Sequence, residues 1–76
     1  MWLKLEGGSS FNTSVARALK VGAASAAEDA NWAVIAVMPH GEELPLVQFH
    51  LPQAAQDVMD SIFDGIGRGK KIMDLS

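Results

Sequence analysis

Seventy-six residues, a net charge of −3 and no cysteine set the first limits. A chain this short reads as a single domain, residues 1–76, and buries only about 60% of its unfolded surface, so its stability margin is thin. The lack of cysteine removes disulfides, thiolate zinc sites and cysteine nucleophiles, and leaves oligomerisation as the accessible stabiliser. Six Lys and Arg against nine Asp and Glu argue against the basic footprint that nucleic-acid binding needs. Met1-Trp2-Leu3-Lys4-Leu5-Glu6 lacks the charged, apolar and small-residue parts of a signal peptide. No stretch approaches the roughly 18 apolar residues of a membrane span. The expectation is a cytoplasmic protein bound to neither membrane nor nucleic acid.

Trp2 to Leu5 reads as a short strand, with Trp2 and Lys4 on one face and Leu3 and Leu5 on the other. Glu6-Gly7-Gly8-Ser9-Ser10 is a turn cluster, Phe11 an anchor, and Asn12-Thr13-Ser14 polar again. Val15 to Ala30 carries two signals. Val15, Arg17, Leu19 and Val21 alternate as in a strand, whereas the alanines favour a helix that Thr13 or Ser14 could cap. Gly22 argues against one continuous helix. The preferred reading is a strand over Val15 to Val21, then an irregular alanine-rich connection to Asn31.

Trp32-Ala33-Val34-Ile35-Ala36-Val37-Met38 is the most informative run. It is β-branched and too short to span a membrane, so it reads as the central strand. Strand side chains alternate between faces, so this one shows apolar groups on both. Pro39-His40-Gly41-Glu42 is a turn, and Glu43 to His50 returns as a hairpin partner. Pro45 places that strand at an edge or at a bulge. Leu44 and Leu46 share one parity, Val47 and Phe49 the other, and a bulge would turn all four toward one core.

Pro52 opens a helix to about Ile66, proline being suited to the first turn. Ala55, Val58, Met59, Ile62, Phe63 and Ile66 form its apolar stripe. Gly65, Gly67 and Gly69 end it. Lys70 to Leu75 reads as a last strand with Ile72 inward. The predicted fold is α+β, a small antiparallel sheet of four to five strands packed on one amphipathic helix, in the order β-β-β-β-α-β. One helix covers one face. Either the sheet curls around the other, or a second subunit covers Ala33, Ile35 and Val37; a homodimer or higher homo-oligomer is the favoured expectation.

Chemistry-bearing patterns are few. Gly65-Ile66-Gly67-Arg68-Gly69-Lys70-Lys71 has the wrong spacing for a phosphate loop and follows a helix instead of preceding one. Asp57, Asp60 and Asp64 share a helix face, which reads as a solvated side. His40 and His50 fall at opposite ends of the hairpin, too far apart to share a metal within one chain. No serine has the context of an activated nucleophile. These patterns call for no catalytic residue, metal or cofactor. Trp2 and Trp32 are core groups if buried, and a stacking platform or interface anchor if exposed.

Trp32-Ala33-Val34-Ile35-Ala36, Gly41-Glu42-Glu43-Leu44-Pro45-Leu46, Phe49, Ala54-Ala55-Gln56 and Ile72-Met73-Asp74-Leu75 together resemble a group of very short, mostly uncharacterised bacterial proteins. These have a strand meander followed by one helix. The resemblance implies the strand-strand-helix order and a strand at Val15 to Val21, and it carries no functional residue across. The expected role is a non-enzymatic interaction or accessory module, working as a homo-oligomer with the possibility of a further protein partner. The alternative is a small-molecule binder with an apolar pocket between sheet and helix, walled by Trp32, Phe49, Met59 and Phe63.

Overall fold

The computed structural model describes residues 1–23 and 32–75. Among the described residues, six strands and one α-helix follow in chain order: β1 (Trp2–Lys4), β2 (Ser10–Asn12), β3 (Ala18–Ala23), β4 (Trp32–Val37), β5 (Glu43–Phe49), α1 (Pro52–Gly67) and β6 (Ile72–Asp74). The class is α+β. The strands make two three-stranded sheets, ordered β2-β1-β6 and β3-β4-β5, in place of one sheet of four to five strands. Gly22 and Ala23, expected in the irregular connection, complete β3; the rest of the alanine-rich connection to Asn31 lies outside the described residues.

The split has a local cause. A 3-10 turn at Thr13–Val15 interrupts the alternation that pointed to a strand from Val15. Asn12 Oδ1 accepts the Ser14 N–H at 3.0 Å and so caps that turn, a side-chain bond that competes with strand pairing. The chain therefore leaves the first sheet at Asn12 and enters the second only at Ala18. The first sheet is also not wholly antiparallel. Helix α1 carries the chain back so that β6 lies parallel to β1, with Trp2 beside Ile72 and Lys4 beside Asp74.

The second sheet is a meander. Met38 and Glu42 close the β4–β5 hairpin through a 2.7 Å backbone bond, and Gly41 takes φ +92°, open to glycine at no steric cost. The expected bulge is present: Val34 pairs with Val47 but Ile35 with Pro45, so Leu46 is the extra residue. Leu46 is buried and Val47 and Phe49 pack on the core, as a shift of facing requires. Leu44 does not follow them. It sits at the start of edge strand β5, beside the hairpin turn, and stays 41% exposed.

Leu3 and Phe11 from the first sheet, Val34, Ala36 and Leu46 from the second, and Ala55 and Ile62 from the helix make one buried cluster. Helix α1 lies against β3, β4 and β5. Its inner line is Ala55, Val58, Ile62 and Gly65, at alternating three- and four-residue steps. Gly65 belongs to that line because a Cβ there would stand 3.0 Å from Met73 Cε and 3.4 Å from Met1 Sδ. The close approach turns Phe63 and Ile66, expected in the stripe, to the flank, at 49% and 42% exposure. The helix ends in a Schellman motif. Lys70 N–H donates to Gly65 C=O at 2.9 Å, Gly69 N–H donates to Ile66 C=O at 3.0 Å, and Gly69 takes φ +73°.

The outer face of β4 finds shelter within the chain. Ala33 is fully buried and Ile35 is 6% exposed. Gly22, beside Ala33, has no side chain, and Ile35 Cδ1 lies 3.1 Å from where its Cβ would be. Lys20 stands opposite Ile35 on β3, and Glu43 opposite Val37 on β5. Their 2.7 Å ion pair therefore spans the central strand. Long side chains lay their methylene stems over apolar surface in this way while the charges stay wet. The two-sided apolar run does not by itself demand a second subunit.

Candidate functional site

The open face of the first sheet carries the site. In so short a sheet alternation is decisive: Leu3, Phe11 and Met73 turn into the core, so Trp2, Lys4, Ser10, Ile72 and Asp74 turn out. Trp2 and Ile72 are in register on neighbouring parallel strands, at 50% and 57% exposure. They form an apolar pair on the surface. That corrects the expectation of Ile72 as an inward residue: Met73 takes the inward place, because β6 aligns with β1 as Leu3 to Met73.

One step along the strands, Lys4 and Asp74 lie side by side, and Ser10 flanks Lys4. The β1–β2 turn forms the rim. Gly7 and Gly8 both take φ +86°, and a Cβ on either would meet no atom within 4 Å. The result is a shallow, open groove of about 520 Å3 with Trp2 and Ile72 as floor, Lys4 and Asp74 as opposite charges, and Leu5, Gly7, Gly8 and Ser9 along the rim, the two glycines leaving its tip without side chains. It can hold a flat apolar surface that brings its own complementary charges.

The residues singled out in the sequence lie elsewhere. Trp32 faces Phe49 across the β4–β5 ladder, and both pack with Met59 against the buried cluster. Phe63 instead lines a groove of about 280 Å3 whose walls include Met1, Ala16, Leu19 and Ile66, and none of the other three. Ala33 and Ile35 are buried, and Val37 is half-buried. Trp2 was recognisable as a candidate anchor, but Ile72 beside it was not, since a parallel pairing of the two chain ends leaves no local signal.

The carboxylates of the helix have structural partners. Asp57 and Asp60 accept from Gln53 and Gln56 at 2.8 and 2.9 Å, and Asp64 pairs with Arg68 at 2.9 Å. Each is a four-residue step on the wet helix face. His40 pairs with Glu42 at 2.9 Å in the hairpin turn, both exposed, and His50 lies past the other end of β5. Among the described residues no three His, Asp or Glu side chains gather as a metal site, and no helix is long and apolar enough to cross a membrane.

Set beside known proteins, the chain matches no family model, no curated protein and no solved structure.

Proposed function

We propose that the protein is a non-enzymatic interaction module that works as a homo-oligomer in the cytoplasm. The observation that supports this is the Trp2–Ile72 pair, two large apolar side chains adjacent in register and half exposed on an open sheet face. Exposed single hydrophobics are ordinary, but an adjacent pair with tryptophan at its centre has the character of an interface anchor. A small domain gains stability by covering it. Sedimentation velocity over a range from about 1 μM to about 1 mM, where weak and moderate dimers dissociate, tests the reading. A concentration-dependent rise in mass supports it, and a monomer at every concentration overturns it.

The second reading is a small-ligand binder. It is favoured by the glycine rim, which leaves room for a planar group against Trp2. Against it stands the shape: ligand sites enclose about 70–90% of what they hold, and this groove is open above a sheet three residues deep. A thermal-shift screen of planar compounds tests it, a stabilising hit at saturating concentration being the expected signature.

A further inference from the structure

We infer that the occupant of this face is a second copy of the same chain, docked face to face about a two-fold axis that lies between the two facing sheets, parallel to β1 and β6 and above the line midway between them. This rests on the homo-oligomer reading and adds the surface and the pairing. Closed dimers use one patch twice, so the patch must complement itself under the symmetry operation. Here it does. Strands β1 and β6 are parallel and in register, Trp2 with Ile72 and Lys4 with Asp74. A rotation about that axis lays β1 of one copy over β6 of the other and keeps the rows aligned. Trp2 then meets Ile72 of the second copy, and Lys4 meets Asp74 of the second copy. Both contacts occur twice.

Charge pattern selects this occupant over a lone ligand. Two opposite charges side by side are neutral together and attract no simple anion or cation. Across this axis each is set against its opposite, which fixes register and suppresses other partners. The rim supports the same packing. Gly7 and Gly8 raise no side chain above the sheet, so a facing sheet can approach to the usual spacing of about 10 Å. The interface is small. A face of three strands, each three residues long, falls short of the roughly 800 Å2 per partner of a standard interface. The dimer is accordingly expected at the weak end, and it loosens as salt screens the Lys4 and Asp74 charges.

Charge reversal tests the pairing. Lys4→Asp and Asp74→Lys each place two like-charge contacts in the homodimer and are expected to raise its dissociation constant about tenfold or more. Mixing the two variants sets Asp against Lys at both contacts and restores association as a heterodimer; the double variant restores the homodimer. Both positions are exposed, and the circular dichroism spectrum of each variant, expected to match the wild type, is the check on folding. Trp2→Ala removes the anchor and is expected to leave a monomer over the same range. Recovery on mixing is a result that misfolding cannot produce. If the wild type associates and neither reversal weakens it, this interface is wrong and the homo-oligomer reading stands. If both reversals dissociate the dimer but mixing restores nothing, the two-fold pairing is wrong. A wild type that never associates overturns both.

Discussion

Replacing Ile62 by alanine is the sharpest test of how helix α1 sits. Ile62 is fully buried in the cluster shared by both sheets and the helix. Truncation removes three carbons, about 2.4 kcal/mol of transfer free energy at ~0.8 kcal/mol per CH2. The residual cavity raises the cost to about 3–5 kcal/mol, and the better helix propensity of alanine returns about 0.4 kcal/mol. A net loss of about 3 kcal/mol is large against the ~4–11 kcal/mol expected of a 76-residue domain. It lowers the melting temperature by about 12–24 °C, at ~4–8 °C per kcal/mol. The control is the next residue. Phe63 is larger but 49% exposed, and Phe63→Ala is expected to cost about 1 kcal/mol. Urea unfolding followed by circular dichroism, at protein concentrations low enough to keep the chain monomeric, measures both. Equal losses, or a larger loss for Phe63, would mean that the helix is rotated about its axis relative to this structure, and the argument from Gly65 would fall with it.

Leu46→Ala is expected to cost about 2–4 kcal/mol and Leu44→Ala less than about 1 kcal/mol, because the bulge buries the first and leaves the second 41% exposed; comparable urea midpoints for the two variants would refute the shifted register. Gly41→Ala forces a side chain into φ +92° and is expected to destabilise by about 1–2 kcal/mol. Gly67→Ala, with ordinary φ and open space around it, is expected to stabilise by up to about 1 kcal/mol. Thermal melts of the two glycine variants should therefore move in opposite directions. A Lys20→Ala, Glu43→Ala double-mutant cycle is expected to give a coupling of less than about 1 kcal/mol that fades by about 1 M salt, since both side chains are near half exposure. A larger or salt-insensitive coupling would show that the pair is desolvated above Ile35.

Local chemistry made several elements legible. Pro52 with the three- and four-residue spacing of Ala55, Val58 and Ile62 placed the helix, and Gly69 supplied its left-handed cap. Pro45 and the parity change after Leu46 placed the bulge, and the Trp32–Val37 run placed the central strand. The helix's apolar stripe was also readable, but not which part of it would be covered. That depended on Gly65 meeting Met73 and Met1, residues brought together only by the fold. Similarly, the run's apolar outer face suggested a missing subunit, while the bond between Lys20 and Glu43, separated by 23 positions, spans it within one chain.

The amino-acid sequence by itself determined the pieces whose cause is local: a prolyl helix start, a glycyl cap, a bulge, a turn, and a strand with grease on both sides. Tertiary structure alone decided that these make two sheets, and that the first and last strands lie parallel so that Trp2 and Ile72 share a surface. Periodicity records which way a side chain points relative to its own backbone. It holds no term for which distant strand lies alongside, and at the candidate site that neighbour is the whole of the difference between one stray hydrophobe and a patch that can pair with itself.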